Sequence, residues 1–268
     1  MDTDRIDVSD LDDDGITWTL LGTLYLRAWE CRLPQPILGD RHAAEAVERI
    51  DYDFAALEKR LRPQSNQFLV ALRAKRLDEW SADFLARHPD ATVLHLGCGL
   101  DSRMLRLAPP AGVRWFDVDI PKVIEVRRRL FAEPAGYHLI GASVTDPDWL
   151  ADVPADRPVL VIAEGLFPYL DGDELRLLLR RLTDHFDTGQ LVFDVVAPWV
   201  TRLMKPFRWG TRDGREIERW NPRLHRAARE PFATHYRRIP VQRYRRLFGV
   251  MNATPGLRNT YLELRFEF

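Results

Sequence analysis

A chain of 268 residues is long enough to bury a substantial core, and a single α/β domain of this size is ordinary. With 46% hydrophobic and 29% charged residues, the composition excludes a wholly disordered chain, and a formal net charge of -1 provides no field that attracts nucleic acid or an anionic membrane. Two cysteines, Cys31 and Cys98, and seven scattered histidines argue against a disulfide framework and a structural metal site.

The amino-terminal segment is acidic, and we expect it to form a solvated tail; its aspartates are Asp2, Asp4, Asp7, Asp10, Asp12, Asp13 and Asp14. It lacks the basic and apolar parts of a signal peptide, and no apolar run approaches the length of a membrane span. The sequence therefore predicts a cytoplasmic protein with neither nucleic acid nor membrane as a partner. It leaves the oligomeric state open.

The N-terminal part, residues 1–90, predicts helices. Apolar residues cover most of a helix surface over 18–29, and i, i+3, i+4 spacing predicts further helices over 42–50 and 67–86, with breaks at Pro34, Pro36 and Pro63. Short apolar runs then predict strands over 91–96, 113–118, 137–141, 158–163 and 190–196, with helices over 121–131 and 173–186. This alternation predicts a mostly parallel sheet with helices on both faces. Such sheets bind ligands at the carboxyl ends of their strands.

After residue 196 the alternation stops. Residues 197–231 are basic and tryptophan-bearing, and prolines and glycines interrupt them, so we interpret this stretch as a substrate lid after the fifth strand. A helix over 241–250 and a closing strand over 261–268 follow. We expect one domain, with a helical part (1–90), a cofactor-binding core (91–196), the lid (197–231) and a C-terminal part that closes the sheet (232–268).

A glycine turn follows the first predicted strand. Gly97 and Gly99 permit a tight turn and let a ligand approach the backbone closely. The dinucleotide fingerprint requires a third glycine where this chain has Ser102, which argues against a nicotinamide cofactor. Asp117 and Asp119 end the second strand, and a carboxylate there can accept hydrogen bonds from both hydroxyls of a ribose. The alternative is that both aspartates are simply solvated.

Three ordered segments extend this pattern: residues 94–103, 115–121 and 163–170. Together they resemble the leucine carboxyl methyltransferase superfamily, and within it the bacterial branch that contains the tetracenomycin polyketide carboxyl-O-methyltransferase. The resemblance covers residues from about 23 to 196. It implies the class I methyltransferase fold, which is Rossmann-like with a seven-stranded sheet, and S-adenosyl-L-methionine as the cofactor.

The resemblance also implies roles for individual residues. Arg73, on the helix before the first strand, would bind the methionyl carboxylate, for which a guanidinium is well suited; a solvated helix arginine is the alternative, and the neighbouring Arg76 competes for the assignment. Glu164 would lie near the methionyl end and could bind its ammonium group, and the cost of burying an unpaired carboxylate favours a functional role. The complete implied cofactor set is Arg73, Gly97, Gly99, Asp119, Ser143, Val144 and Glu164.

A carboxylate acceptor is ionised at neutral pH, because carboxyl groups titrate near ~4, so its methylation needs no general base. No base motif is visible in the sequence, which agrees with methylation of a small-molecule or polyketide-like acid. Tyr169, Arg202 and Trp209 are the candidates for positioning that acceptor; Trp199, Phe207 and Trp220 could complete an apolar lid, with Arg208 or Arg212 as further anion ligands. Core packing and solvation are the alternatives for each. A hydroxyl acceptor, a peptide or protein carboxylate, and a non-catalytic scaffold or nicotinamide oxidoreductase also stay open.

Overall fold

The structure, a computed structural model, describes residues 5–14 and 16–268. Its N-terminal segment folds onto the rest of the chain. Strand β1 (Ile6–Asp7) pairs in parallel with β2 (Ile50–Asp51), and a 3-10 helix (Ser9–Asp14) follows β1. Three apolar side chains of this segment are buried, namely Ile6, Val8 and Leu11. The expectation of a solvated tail is therefore wrong for residues 6–11, while Asp2 and Asp4 lie outside the described residues.

Four helices form the predicted helical extension: α1 (Ile16–Glu30), α2 (Arg41–Arg49), α3 (Phe54–Leu61) and α4 (Pro63–Arg87). Pro63, an expected break, lies at the boundary between α3 and α4, and it is the first residue of α4, where a missing N–H removes no hydrogen bond. Asp40 and Asp53 cap α2 and α3 by accepting hydrogen bonds from backbone N–H groups in their first turns. Helix α3 was not predicted.

The remaining strands form a seven-stranded sheet: β3 (Thr92–Leu96), β4 (Arg114–Asp119), β5 (Tyr137–Gly141), β6 (Val159–Ala163), β7 (Gly189–Val196), β8 (His225–Pro231) and β9 (Tyr261–Glu267). Their order is β5-β4-β3-β6-β7-β9-β8. Neighbours from β5 to β7 run parallel, whereas β9 pairs antiparallel with both β7 and β8. The predicted α/β fold with a mostly parallel seven-stranded sheet is confirmed.

The remaining helices are α5 (Arg103–Leu107), α6 (Pro121–Leu130), α7 (Gly172–His185), α8 (Pro198–Leu203), α9 (Arg215–Trp220), α10 (Gln242–Ala253) and α11 (Pro255–Arg258). Helices α4 and α7 pack on opposite faces of the sheet. Because side chains alternate along a strand, neighbouring residues of β3 enter different cores. Val93 packs with Leu77 and Trp80 of α4, while Leu94 belongs to the core that contains Leu178 of α7. Among the described residues, no helix combines the length and apolar character needed to cross a membrane.

Strand β8 was not predicted, because its residues were assigned to the lid. It is an edge strand that carries His225, Arg226, Arg229 and Glu230, and only Pro231 at its end is buried. Charged edge strands lack an apolar alternation. The lid boundary at residue 231 is consequently too late, and we use "lid segment" for residues 197–224, which run from the end of β7 to the start of β8.

Candidate active site

The glycine turn after β3 lies against Asp119, as predicted. Gly97 and Gly99 have φ values of 58° and 51°, a left-handed conformation that favours glycine. The N–H of Gly99 donates to Asp119 Oδ2 and the N–H of Ile120 donates to Oδ1, both at 2.8 Å. Burial raises the pKa of Asp119, although these two donors oppose the rise. The turn and the carboxylate are therefore together at the carboxyl ends of β3 and β4.

Side chains from two other elements close over this turn. A Cβ added to Gly97 would lie 2.9 Å from Cδ1 of Leu166, and one added to Gly99 would lie 2.9 Å from Cδ1 of Leu20. Leu20 belongs to α1, so the helical extension forms part of the site. Neither glycine therefore has room for a side chain, and the backbone of the turn packs directly against these two leucines.

The segment after β5 lies beside Asp119. The N–H of Ala142 donates to the carbonyl oxygen of Asp119 at 2.9 Å. Val144 is buried in the apolar core, whereas Ser143 is exposed and its hydroxyl lies 2.8 Å from that of Thr145. Both residues thus directly follow a residue that is hydrogen-bonded to Asp119, and their contact with the cofactor stays a prediction.

Glu164, which directly follows β6, is paired with two arginines. Nε and Nη2 of Arg73 both lie 3.0 Å from its Oε1, and Nη2 of Arg103 lies 2.5 Å from its Oε2. Burial alone would raise the pKa of Glu164, but Arg73 and then Arg103 outweigh it and lower the pKa to about 2. Because Glu164 has these partners, the cost of an unpaired charge gives no reason to assign it a functional role. The remaining reason is its contact with Arg73, the candidate ligand of the methionyl carboxylate.

Arg73 and Arg76 separate into different environments, which removes the ambiguity between them. Arg73 points to the carboxyl end of β6, and Nη1 and Nη2 would both lie 3.7 Å from a Cβ on Gly165. Arg76 instead pairs with Glu79 at 3.1 Å and Glu230 at 3.0 Å. Of the two, only Arg73 lies where the methionyl carboxylate is expected.

Asp194, near the carboxyl end of β7, is a candidate site residue that the sequence analysis missed. Its Oδ1 accepts a hydrogen bond from the N–H of Gly165 at 2.5 Å, and its Oδ2 lies 3.3 Å from Nη1 of Arg73. Burial raises the pKa of Asp194 even though Arg73 opposes the rise. The only sequence signal is an acidic residue within the apolar run of the fifth strand. Asp194 and Glu164 together fix the orientation of Arg73.

A buried ionic network continues from Glu164, and the sequence analysis did not predict it. Arg103 is 0% exposed and pairs with Asp78 at 2.6 Å, with Asp101 at 3.0 Å and with Glu164. Arg106 continues the network through Asp40, Asp78 and Asp101. Buried charges of this kind are tolerated only when they are paired and hydrogen-bonded. The network links α4 and the residues after α1 to the glycine turn.

Asp117 has a structural role. The alternative that this aspartate is simply solvated is wrong, because its side chain is buried. It is fully buried, where His95 Nδ1 lies 3.0 Å from Oδ1, the indole N–H of Trp115 donates to Oδ1, and Arg127 and Tyr137 contact Oδ2. Burial raises its pKa, but Arg127 and His95 outweigh the effect and lower it to about 2. Arg127 also donates to the carbonyl oxygen of Gly99 at 2.8 Å. Asp117 therefore anchors the arginine that holds the turn.

The three candidate acceptor ligands lie in different surroundings. Tyr169 is partly buried beyond β6, with its ring edge-on to Phe207 at 5.1 Å, and burial raises its pKa. Trp209 packs against the core and against Trp220 at 5.9 Å, which is the packing alternative. Arg202 is exposed on α8. Their contact with an acceptor stays a prediction.

The other lid residues divide in the same way. Arg208 pairs with Asp171 at 2.7 Å and with Glu174 at 2.9 Å, so it is already engaged. Arg212 and Trp199 are exposed, and the side chain of Trp199 is 43% accessible. Trp199 is therefore a surface residue rather than a core residue, and its contact with an acceptor stays a prediction.

Tyr261, the first residue of β9, completes this end of the sheet and was also missed. It pairs with Val196 at the end of β7, and it packs with Phe207 against Ala197 and Val200. Phe207 thus lies between the surroundings of Tyr169 and those of Tyr261. Burial raises the pKa of Tyr261, and Arg73 opposes the rise, so both tyrosines are neutral hydroxyl donors near neutral pH.

A family model described as leucine carboxyl methyltransferase matches residues 20–183, from α1 to the end of α7. The chain belongs to the leucine carboxyl methyltransferase family. The family match covers every predicted cofactor residue but ends before Asp194 and Tyr261. In this member of the leucine carboxyl methyltransferase family, Asp194, which contacts the candidate cofactor ligand Arg73, therefore lies beyond the matched region.

Similar proteins agree with the family assignment. The chain is 44% identical to the tetracenomycin polyketide synthesis O-methyltransferase TcmP of Streptomyces glaucescens, over 95% of this chain and 97% of that protein. It is 41% identical to the S-adenosyl-L-methionine-dependent methyltransferase dpfgK of Gibberella zeae, over 78% of this chain and 80% of that one. The chain is accordingly an S-adenosylmethionine-dependent O-methyltransferase, and the predicted enzyme class and cofactor are confirmed.

Solved structures share the fold at low sequence identity. A Thermobifida fusca protein described as a methyltransferase superposes with a TM-score of 0.58 at 17% identity, covering 90% of this chain and 93% of that one. Magnesium protoporphyrin IX methyltransferase of Synechocystis, solved with bound SAH, gives a TM-score of 0.50 at 12% identity, over 85% and 94% of the two chains. These matches confirm the class I methyltransferase fold.

Proposed function

We propose that this enzyme methylates the carboxylate of a small-molecule, polyketide-like acid and releases a methyl ester. The observation that carries the proposal is that Glu164, the carboxylate at the carboxyl end of β6, is not free to act as a general base. Glu164 has both oxygens engaged by arginines and a pKa of about 2. Of the seven histidines, all within the described residues, His95 is paired with Asp117 in the core, and His235 contacts Glu230 and Arg76 two strands from β7. An acceptor that is already ionised needs no base.

The residues at this edge suit recognition of a carboxylate. S-adenosylmethionine supplies an electrophilic methyl group on its sulfonium, and catalysis then depends on holding the acceptor oxygen in line with it. The neutral hydroxyls of Tyr169 and Tyr261 are hydrogen-bond donors that could hold a carboxylate oxygen. Phe207 and the apolar residues at the end of β7 exclude water from their surroundings.

Exposed apolar side chains support an acceptor with a large apolar body. Trp18 of α1 is 39% exposed, and α8 with the residue after it carries Trp199, Leu203 and Met204, which are 43%, 74% and 48% exposed. Trp199 and Leu203 are four residues apart on α8, so they share one face of that helix, and contiguous exposed apolar groups commonly mark ligand-binding surfaces. The similarity to TcmP, which acts in polyketide synthesis, points to the same class of acid.

The stability of the methylated product to alkali distinguishes a carboxyl acceptor from a hydroxyl acceptor. Enzyme, methyl-labelled S-adenosylmethionine and a panel of aromatic acids are incubated beside the corresponding phenols, and each product is treated with mild alkali. A methyl ester releases its label as volatile methanol, whereas a methyl ether retains it. We expect alkali-labile label from the acids; label that survives alkali, with turnover of the phenols, would refute the carboxyl acceptor.

One observation favours a hydroxyl acceptor as the second candidate. Asp194 has a raised pKa and lies beside Arg73 at the end of the site, so it could accept a proton from an acceptor hydroxyl. In that case Asp194→Asn removes the rise of kcat with pH that a base produces. With a carboxyl acceptor the pH profile keeps its shape in this variant.

For the location we propose the cytoplasm. Cys31 and Cys98 are both free thiols, which agrees with a reducing compartment. As a partner we propose only the small-molecule acid. Fractionation of the producing cells, followed by detection of the enzyme in each fraction, tests the location.

A further inference from the structure

Three carboxyl groups lie side by side across the last three strands of the sheet. The register places Glu263 of β9 opposite Asp194 of β7 on one side and opposite Glu230 of β8 on the other. Directly opposed residues of antiparallel strands point to the same face with Cβ atoms about 4.5–5.5 Å apart, so like charges at such positions destabilise the sheet. We name these three residues the acid row. It extends from the surroundings of Arg73 to the edge of the sheet.

The middle member of the acid row is buried without a partner. Glu263 is 1% exposed, and neither of its carboxyl oxygens has a hydrogen-bond partner among the described residues. The two outer members are paired, because Asp194 contacts Arg73 at 3.3 Å and Glu230 contacts Arg76 at 3.0 Å. Burying an ionised carboxylate without a partner is costly, and a carboxyl group in such a place keeps its proton instead.

The cations near Glu263 are engaged by other groups. Arg73 and Arg76 of α4 hold the carboxylates described above, and Arg76 also contacts the ring of His235. The guanidinium of Arg265 lies over the ring of Trp80, 5.7 Å from its centroid. Burial raises the pKa of Glu263 well above its ordinary value, Arg76 opposes the rise, and the neighbouring carboxylates add to it. The charged and titratable groups that face Glu263 are Arg73 and Arg76 of α4, Asp194 of β7, Glu230 of β8, His235 of the 3-10 helix Phe232–Arg238, and Tyr261 and Arg265 of β9.

The acid row also reaches the proposed acceptor site. Tyr261, one of the two tyrosines proposed to hold the acceptor carboxylate, lies two residues before Glu263 in β9, about 7 Å away along the strand and on the same face. A negative charge on Glu263 would repel an anionic acceptor held there, whereas a neutral carboxyl group would not. Across ~10 Å at an effective dielectric constant of ~20, this repulsion corresponds to roughly a tenfold loss of affinity.

We infer that Glu263 sets the charge selectivity of the acceptor site: in its protonated form it admits an anionic acceptor, and in its ionised form it excludes one. Glu263 acts through the electrostatic field at Tyr261 and takes no part in methyl transfer, so it is a specificity-determining residue rather than a catalytic one. Its ionisation releases the proton to water and adds a third negative charge between Asp194 and Glu230. This role rests on the proposed carboxyl acceptor, because a neutral acceptor would bind equally to both forms of Glu263.

The test compares an acid with its own amide. The aromatic acid that the enzyme methylates fastest, and the primary amide of that acid, are titrated calorimetrically into the full-length enzyme from neutral to alkaline pH. S-adenosylhomocysteine is present so that no methyl transfer occurs. We expect the affinity for the acid to fall about tenfold while the affinity for the amide stays constant. Infrared spectroscopy should show a protonated carboxyl band at neutral pH that disappears over the same pH interval.

Two variants assign the effect to this residue. Glu263→Gln removes the infrared band, and it should bind the acid with the same affinity at neutral and alkaline pH. Ionisation of a tyrosine would also weaken binding of the acid, but that effect would persist in Glu263→Gln. Glu267→Gln, at an exposed position of the same strand, should keep the pH dependence of the parent enzyme.

Three results would show that Glu263 has no such role. The affinity for the acid may stay constant with pH or fall in parallel with that for the amide, Glu263→Gln may keep the pH dependence of the parent, or the parent may lack the infrared band at neutral pH. The first and third measurements use the parent enzyme, so they stand even if Glu263→Gln does not fold. Failure of the carboxyl acceptor is recognised separately, as methyl label that survives alkali.

Discussion

Replacement of Glu164 by glutamine tests the physical account of the site most directly. The substitution keeps the shape of the side chain but removes the charge that Arg73 and Arg103 hold. A pKa lowered from 4.5 to about 2 corresponds to about 3 kcal/mol in favour of the ionised form in the folded protein, at 1.36 kcal/mol per pH unit. We therefore expect E164Q to lower the free energy of unfolding by about 3 kcal/mol near neutral pH.

The stabilisation by Glu164 depends on pH, and the direction of this dependence follows from the direction of its pKa shift. Because the pKa of Glu164 is lower in the folded state, the stabilisation is fully present above the ordinary pKa of 4.5 and is lost as the pH falls toward about 2. The difference between parent and E164Q should shrink over that interval. Urea unfolding measures both proteins at each pH, since urea does not screen ion pairs as an ionic denaturant does.

Glu133 offers a matched control. It pairs with Arg128 at 3.0 Å, but both side chains are exposed, by 35% and 50%. An exposed pair contributes below about 1 kcal/mol, so E133Q should be close to neutral. If E164Q costs no more than E133Q, or if its cost persists unchanged in acid, the electrostatic account of the site is refuted.

Three further predictions concern the turn, the ribose ligand and the edge of the sheet. Gly99→Ala forces an alanine into a left-handed conformation, so it should lower the free energy of unfolding in urea by about 1–2 kcal/mol and weaken S-adenosylmethionine binding measured by calorimetry. Gly256→Ala is the control: no atom lies within 4 Å of a Cβ added there, so this variant should be neutral. Asp119→Ala should abolish that binding and Asp90→Ala, at an exposed position, should not; unchanged affinity in the first variant contradicts the ribose assignment. Burial raises the pKa of Glu263 well above its ordinary value of 4.5. The parent enzyme should therefore lose stability relative to Glu263→Gln as the pH rises from 4.5, because ionisation of the buried carboxyl disfavours the folded state. A stability difference that stays constant across that pH range contradicts this prediction.

Local sequence signals were sufficient for most of the fold. Each strand of the parallel part is a short apolar run, and β3 ends at a glycine, so its position and its ligand-binding end could be predicted together. Strand β8 could not, because an edge strand with charged residues has no apolar alternation to detect. Helix α4 begins earlier than predicted because proline is favourable at a helix start, although it breaks a helix interior.

The same distinction holds for the site. Gly97, Gly99 and Asp119 could be named as candidate cofactor ligands because the glycine turn and the strand end lie close together in the sequence and form a recognisable nucleotide-binding pattern. Asp194 and Arg103 could not, because their roles depend on partners from distant elements, such as Asp78 of α4. Buried charges are identified by tertiary contacts, and a single sequence does not contain those contacts explicitly.

The two coverings of the active site come from opposite ends of the chain. Leu20, in the first helix, lies over the glycine turn, and Tyr261, in the last strand, closes the end of β7. During synthesis the first helix leaves the ribosome long before the last strand does. A nascent chain that already carries the whole family-matched region would thus have its glycine turn but not Tyr261, the proposed acceptor ligand, and on that proposal it should become competent for methyl transfer only when β9 has been translated.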